Sequence, residues 1–252
     1  MHISDYHTHT PYSHGKGTVL ENALVAKAKG FKELGITDHG FNHMAYGVLR
    51  KFLPDLKQEI IEVENQTGIK IYLGVEANII SFNGDVDITE KDFEYVELLV
   101  VGFHNFVRSD ICSFFNFILG NIFCDAFNNF SEERIRKNTE AYIKAVHKYP
   151  IDIISHLNYI CKVNCYEVAK ACAETNTYIE LNGKRVHFSQ KDIDDMLKTD
   201  VKFVIDSDAH TAGRVGDFEI CQKMIDMYNI PIERIANYSD VIVPKNKKGV
   251  RL

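Results

Sequence analysis

The sequence predicts an α/β fold, a single domain in which seven βα units form a closed or nearly closed barrel. Short apolar runs alternate with longer amphipathic ones, a pattern typical of strands followed by helices around a largely parallel sheet. The 252 residues suit one α/β barrel, and no Gly-rich linker divides them. We therefore expect one domain over residues 1–252.

The strands and helices can be placed in chain order. Seven apolar runs are predicted as strands: Ile3–His7, Leu34–Asp38, Ile69–Val75, Leu98–Phe103, Ile151–Ser155, Tyr178–Leu181 and Phe203–Asp206. Six amphipathic stretches are predicted as helices: 20–31, 51–66, 132–148, 165–174, 189–199 and 217–228. Ser131 and Ser189 stand where helices should begin, and Gly30, Gly68 and Pro150 where helices should end.

An aromatic-rich segment, residues 108–130, does not follow this alternation and is predicted as an insertion. It contains six phenylalanines among isoleucine and leucine residues. One interpretation is a core helix or a contact in a homo-oligomer. The other is a lid or wall over a functional site, because the segment follows His104 closely.

Composition limits the classes of partner. The chain has 29 Lys and Arg against 35 Asp and Glu, a formal charge of -6, which argues against a nucleic-acid backbone as the main partner. No apolar run approaches the roughly 20 residues that cross a bilayer. No signal-peptide pattern opens the chain, and its six cysteines form no Cys-x-x-Cys pair. We expect a cytoplasmic protein with reduced thiols.

Nine side chains suited to binding metals stand at or just beyond the ends of predicted strands. They are His7, His9, His14, His39, Glu76, His104, His156, Asp208 and His210. Functional groups of α/β barrels come from the carboxyl ends of the strands, so these side chains should meet in one cleft. Imidazole and carboxylate suit divalent metals, and nine ligands indicate more than one ion. The other histidines are interpreted as surface or core residues: His2, His43, His147 and His187.

The spacing within the motifs supports a shared cavity. In Asp5-Tyr6-His7-Thr8-His9 and Asp206-Ser207-Asp208-Ala209-His210, ligands two residues apart can point to the same side of a strand. Asp5 and Asp38 lie just outside the ligand set. They are candidates to orient histidines, with ordinary hydrogen bonding at strand ends as the equal alternative.

These motifs resemble the PHP (polymerase and histidinol phosphatase) family, above all its stand-alone bacterial phosphoesterases. The resemblance rests on "DYHTHTPYSHGKGT", "ITDHG" and "GVEANI", and on the final Asp-Ala-His. It implies a distorted (βα)7 TIM-like barrel with three metal ions, usually zinc, with manganese or iron elsewhere in the family. It also implies that Glu76 bridges two metals. The three implied ligand sets are His7, His9, Glu76 and Asp208; Glu76, His104 and His156; and His14, His39 and His210.

The predicted function is a metal-dependent phosphatase that hydrolyses the phosphoric monoester of a small phosphorylated metabolite, with a metal-bridging hydroxide attacking phosphorus. Catalytic roles are assigned to Glu76, Asp208 and His210. The cationic candidates for binding phosphate are Arg185, Arg214, Lys16 and Lys184, with the guanidinium groups favoured because they can bind phosphate through two bonds. His187 is either a general acid for the leaving group or a surface residue.

Other functions stay open. Histidinol phosphate is one candidate substrate, since the family includes that activity. A phosphodiesterase or nuclease is a second enzymatic reading, although the acidic charge argues against it. A different amidohydrolase barrel would need a carboxylated lysine, for which the sequence offers no clear candidate. The non-enzymatic alternative is a degenerate module that binds metal without turnover.

Overall fold

The computed structural model describes residues 3–246 and confirms the predicted (βα)7 barrel. The seven strands are β1 Ser4–Thr8, β2 Glu33–His39, β3 Lys70–Asn78, β4 Leu98–Gly102, β5 Ile153–Ile154, β6 Tyr178–Asn182 and β7 Phe203–Asp206. They form one sheet in the order β1 to β7, and every neighbouring pair is parallel. His2 lies outside the described residues.

The helices cover the outside of this sheet. They are α1 Val19–Ala28, α2 Leu53–Thr67, α3 Ile111–Ser113, α4 Gly120–Ala126, α5 Glu132–Lys148, α6 Cys165–Glu174, α7 Gln190–Leu197 and α8 Glu219–Tyr228. The predicted ends are observed: the Ser131 and Ser189 side chains cap α5 and α7, and Gly68 ends α2 with φ of 75°. That left-handed conformation favours glycine.

The seam between β1 and β7 brings the edges of the sheet together. The His9 amide donates to the Ala209 carbonyl at 2.8 Å, and the Ala209 amide donates to the His7 carbonyl at 3.2 Å. Deeper in the seam, aspartate side chains accept hydrogen bonds from backbone amides on the other side of the seam. Asp206 Oδ1 accepts from the Tyr6 amide at 2.6 Å, and Asp5 Oδ1 accepts from the Ser207 amide at 3.1 Å.

The barrel interior divides into two layers. An apolar cluster fills the lower part, formed by Tyr6, Tyr72, Leu98, Val100, Ile153, Val204 and Ile242. Residues two apart on a barrel strand share a side, so β3 presents Tyr72 below and Glu76 above. The predicted ligands therefore lie over a packed floor, as is usual for this class of barrel.

The aromatic-rich segment is helical in three pieces: α3, a π-helix over Phe114–Leu119, and α4. Phe117 and Ile118 are buried, whereas Phe115 and Phe123 are more than half exposed. The segment thus contributes both to the core and to the surface. Among the described residues, no helix is long and apolar enough to cross a membrane. All six cysteines are free thiols, four of them buried.

Candidate metal centre

The structure brings all nine predicted ligands together at the carboxyl end of the barrel. Glu76, at the end of β3, lies at the centre and is 1% exposed. Its two carboxylate oxygens approach imidazoles from four different strands or strand ends. Oε1 lies 3.2 Å from His7 Nε2, 3.2 Å from His104 Nε2 and 2.9 Å from His156 Nε2, and Oε2 lies 2.9 Å from His39 Nδ1. One carboxylate so placed can bridge two metal ions.

Asp208 forms a second focus across the cleft. Its Oδ1 lies 3.2 Å from His9 Nε2, 3.4 Å from His210 Nδ1 and 3.7 Å from His7 Nε2. His7 and His9 therefore face both carboxylates, because His9 Nε2 is also 3.7 Å from Glu76 Oε2. The two carboxylates share their imidazoles, so they belong to one centre.

The remaining imidazoles form the rim. The ring centroid of His14 lies 4.3 Å from that of His210 and 4.9 Å from that of His39. Atoms of His9, His39 and His210 lie close enough together to hold one ion, and so do those of His7, His9 and Glu76 and those of His39, Glu76 and His104. The cluster can therefore hold divalent metal ions. The division into three ligand sets stays a prediction.

Local backbone features aim these side chains. The pairing of β1 with β2 is irregular between Asp5 and Thr8, and such a bulge can redirect a side chain such as His7. His156 and Asp208 have φ of 30° and 50°, a region that costs non-glycine residues energy and is found at functional sites. A Cβ on Gly102 would lie 2.7 Å from His156 Cε1, so this glycine leaves room for the imidazole.

Two residues outside the predicted ligand set orient imidazoles. Glu180 Oε1, on β6, lies 2.6 Å from His7 Nδ1, and Asn78 Oδ1 lies 2.8 Å from His104 Nδ1. Because each partner fixes Nδ1–H, it directs Nε2 of the same ring toward Glu76. Both residues lie at strand ends, on the inward side, which is the signal that could have identified them.

The two carboxylates predicted to orient histidines accept hydrogen bonds from other groups. Asp38 accepts from Thr10 Oγ1 and Ser13 Oγ, both at 2.5 Å, and so fixes the loop that bears His14. Asp5 accepts from Ser207 Oγ at 2.5 Å and the Gly216 amide at 2.8 Å, and so fixes the seam. Their contribution to the centre is made through the backbone of the loops.

Burial and charge divide the ligands into two kinds. Burial, with help from neighbouring imidazoles, lowers the pKa of His39 to about 3 and of His14 to about 4. Burial would also lower the pKa of His7, but Glu76, Asp208 and Glu180 raise it well above its usual value. Neutral imidazoles are ready to bind metal, whereas a proton held on His7 would be released as metal binds.

The centre leaves several buried polar atoms without hydrogen bonds. Among the described residues these include His7 Nε2, His9 Nδ1, His39 Nδ1 and Glu76 Oε2. The last two are only 2.9 Å apart, but their geometry does not make a hydrogen bond. Unpaired buried polar atoms are costly. Atoms of this chemistry that converge without bonding one another fit metal coordination, so the residues present fit the ions that the sequence predicts.

A cavity of about 310 Å³ opens above the ligands. Its lining includes Lys184, Arg185, Tyr159, Tyr46, Phe106 and His43. Arg185 donates to the Tyr159 hydroxyl, and its guanidinium lies 4.3 Å from the Tyr159 ring centre.

The predicted phosphate-binding residues differ in position. Arg185 and Lys184 line the cavity, whereas neither Lys16 nor Arg214 is among its lining residues in the described part of the chain. Lys16 is exposed, and Arg214 pairs with Asp217 Oδ2 at 3.2 Å. His43, interpreted from sequence as a surface or core residue, lines the cavity, with its ring centroid 5.3 Å from that of His39. The phosphate-binding roles of the four cations stay predictions.

Comparisons with known proteins agree with this architecture. The structure of histidinol phosphate phosphatase from Lactococcus lactis subsp. lactis, complexed with zinc, L-histidinol and phosphate, matches with a TM-score of 0.63 and 17% identity, over 91% of this chain and 94% of that one. A candidate histidinol phosphatase from Listeria monocytogenes matches with a TM-score of 0.57 and 15% identity, over 84% and 97%. At these identities the likeness shows the fold. The PHP domain family matches residues 5–186, more than half of the chain, and the chain therefore belongs to the PHP domain family.

Proposed function

We propose that the protein is a metal-dependent phosphatase that hydrolyses the phosphoric monoester of a small phosphorylated metabolite. The observation that supports this most directly is the convergence of six imidazoles on Glu76 and Asp208, with His14 beside them, beneath a cavity that also bears Lys184 and Arg185. Cationic groups beside a metal centre suit a dianionic phosphate.

We assign three divalent ions, with zinc as the leading identity, to the ligand sets that the family resemblance implies. His7, His9, Glu76 and Asp208 would hold the first ion, Glu76, His104 and His156 the second, and His14, His39 and His210 the third. When bound, such ions supply positive charge for phosphate oxygens and activate water as a nucleophile at neutral pH. The two zinc-compatible features of the chain are its neutral rim imidazoles and its buried carboxylates.

The residues of the chain would divide the remaining work. Arg185, held against the Tyr159 ring, would bind the phosphate at the mouth of the cavity. Glu180 and Asn78 would keep His7 and His104 in the tautomers that present Nε2 to the centre. The cavity volume of about 310 Å³ suits a small metabolite, and its aromatic wall would pack on the leaving group.

The test is an assay of para-nitrophenyl phosphate beside bis(para-nitrophenyl) phosphate, with protein loaded with zinc or manganese. We expect turnover of the monoester. Cleavage of the diester without the monoester would overturn the proposal in favour of a phosphodiesterase or nuclease. Metal content gives a second criterion: fewer than two equivalents per chain in carefully purified protein would contradict the three-ion centre. A folded, metal-loaded protein without turnover of either ester would support the degenerate module.

The natural substrate requires a screen of phosphorylated metabolites with the metal-loaded protein. Histidinol phosphate belongs in this screen because the Lactococcus structure holds L-histidinol and phosphate. A value of kcat/KM for one metabolite that exceeds the others by tenfold or more, about 1.4 kcal/mol of selectivity, would identify the substrate class.

A further inference from the structure

Lys184 makes a contact that neither the metal centre nor the proposed function requires. It follows β6, and its Nζ lies 2.9 Å from Asp208 Oδ1. The Lys184 side chain is 35% exposed while that of Asp208 is 7% exposed, so the ammonium group reaches inward from the cavity to a buried carboxylate. Among the described residues, no other lysine or arginine pairs with that oxygen.

Asn182 fixes the geometry of this contact. Its Oδ1 accepts from the Lys184 amide at 2.9 Å, and its Nδ2 donates to Asp208 Oδ2 at 3.1 Å. The same Nδ2 donates to Glu180 Oε2 at 2.9 Å. The Asn182 side chain therefore fixes the Lys184 backbone and the Asp208 carboxylate relative to each other. The contact between Lys184 and Asp208 does not depend on the flexible lysine side chain alone.

The partner of Lys184 is the same oxygen that faces the imidazoles. Asp208 Oδ1 lies 3.2 Å from His9 Nε2 and 3.4 Å from His210 Nδ1. An ammonium group and a divalent ion at one carboxylate oxygen repel each other, because both are positive and both need its negative charge. Lysine is suited to leave, since its compact charge sits on a flexible four-carbon stem.

We propose that Lys184 competes with a divalent metal ion for Asp208 Oδ1 and, once displaced, uses its ammonium group to bind the dianionic phosphate of the substrate. The second half rests on the proposed function, and the first half does not. Displacement leaves the ammonium inside the cavity that it already lines, beside Arg185. Metal loading and phosphate affinity would therefore be coupled through one side chain.

The competition is tested by zinc affinity, measured by titration against a chromophoric chelator. Lys184→Met should bind zinc about two- to fivefold more tightly than wild type, the range expected for removal of a partly exposed ion pair. Lys191→Met is the matched control, because Lys191 also pairs with an aspartate, Asp195, but is 84% exposed on α7. Unchanged or weaker zinc affinity in Lys184→Met would overturn the competition.

The phosphate role is tested by binding of inorganic phosphate to the zinc-loaded protein in a calorimeter. Lys184→Met should weaken phosphate binding about tenfold, as expected for loss of a charge-assisted hydrogen bond. Lys184→Arg should restore most of the affinity, and Lys191→Met should match wild type. Equal affinity in wild type and Lys184→Met would overturn this role.

The two proposals fail in distinguishable ways. A wild-type protein that binds phosphate through Lys184 but hydrolyses no phosphate ester would contradict the proposed function and support the lysine role. A wild-type protein that hydrolyses monoesters, with KM and phosphate affinity unchanged in Lys184→Met, would contradict the lysine role and support the proposed function.

Discussion

Two buried carboxylates at the amino end of the barrel, Asp152 and Glu97, have partners within the chain, whereas several buried ligand atoms at the carboxyl end have no hydrogen bond. Asp152, just before β5, accepts from the Leu99 amide at 2.9 Å and the Lys245 amide at 2.8 Å. Glu97, just before β4, pairs with Lys57 Nζ at 2.7 Å. At the other end, His7 Nε2, His9 Nδ1 and Glu76 Oε2 are buried without hydrogen bonds.

The difference in pairing indicates that the amino end of the barrel contributes to stability, whereas the carboxyl end carries the functional groups. A buried polar atom left unpaired costs about 1–3 kcal/mol, so the carboxyl end is the less stable arrangement for the protein alone. The partnered carboxylates at the amino end and the apolar floor offset that cost. The barrel can therefore hold the ligand side chains in fixed positions although several of their polar atoms are unpaired within the chain.

The largest expected effect comes from removing the charge at the centre of the carboxyl end. Glu76→Gln keeps the shape of the side chain but loses the carboxylate that faces His7, His104, His156 and His39. We expect kcat/KM for para-nitrophenyl phosphate to fall by about 1,000-fold or more, about 4 kcal/mol, with fewer bound metals.

The matched control is Glu140→Gln on α5, whose side chain is 44% exposed, and this variant should keep wild-type turnover. Circular dichroism should show that Glu76→Gln is folded. Near-wild-type kcat in Glu76→Gln would remove Glu76 from the centre of the site and with it the contrast between the two ends.

Most of the fold can be predicted from the sequence. The sequence predicts all seven strands in order because apolar runs and helix signals are local properties of the chain. The strand β5 is shorter than predicted, at two residues. Asp152 turns its side chain to other backbone amides before β5, and His156, with φ of 30°, departs from the extended conformation after it.

Other parts of the site depend on contacts between distant residues. Glu180 bonds His7 across 173 positions of sequence, and a periodic pattern within one strand does not reveal that partner. His43 lies on a loop, so the rule that ligands follow strands did not include it. Strand position predicts where the nine ligands meet. Loop shape, which the sequence does not define, decides that Lys184 and Arg185 line the cavity while Lys16 and Arg214 are not among its described lining residues.

The second prediction compares two lysine–carboxylate pairs, one at each end. Lys57→Met leaves Glu97, which is 1% exposed, without its 2.7 Å partner. We expect the free energy of unfolding to fall by about 3 kcal/mol, as for other buried pairs that lose one member. Lys184→Met should change it by less than about 1 kcal/mol because Lys184 is more exposed.

Chemical denaturation of both variants in the presence of a chelator makes this comparison. Chelation matters because bound metal would add its own stabilisation of the folded state. Equal losses in the two variants would mean that the ends do not differ in how they use buried charge.

The third prediction concerns the pH dependence of the amino end. Burial raises the pKa of Asp152 to about 6, although hydrogen bonds from the Leu99 and Lys245 amides oppose this. The folded state therefore holds this proton more tightly than the unfolded state does, and its contribution to stability declines as pH rises from about 4 to 6. Over that window the decline amounts to about 3 kcal/mol.

Asp152→Asn removes this titrating group. As pH rises from 4 to 6, the unfolding free energy of wild type should therefore fall relative to that of the variant. Denaturation in chelator at pH 4, 5 and 6 measures that difference. Asp226→Asn, exposed on α8, is the control and should follow wild type. If the difference in unfolding free energy between wild type and Asp152→Asn stays constant across these pH values, then Asp152 has the same pKa in the folded and unfolded states, which contradicts the prediction.

The smallest expected effect is a change in tautomer at the carboxyl end. In Glu180→Gln, the one amide oxygen can still accept from the His156 amide, which Glu180 Oε2 binds at 2.8 Å. The amide NH₂ then faces His7 Nδ1, now 2.6 Å from Glu180 Oε1, and a donor there forces the imidazole proton onto Nε2. That nitrogen is the one directed at Glu76 and Asp208, so metal must displace the proton before it can bind.

We expect the zinc affinity of Glu180→Gln to weaken by about 10- to 100-fold, measured by titration against a chromophoric chelator. The control variant Glu174→Gln, at an exposed position on α6, should bind zinc like wild type. Wild-type zinc affinity in Glu180→Gln would mean that the carboxyl end tolerates an unpaired or misdirected imidazole, and that its buried nitrogens are not held for metal.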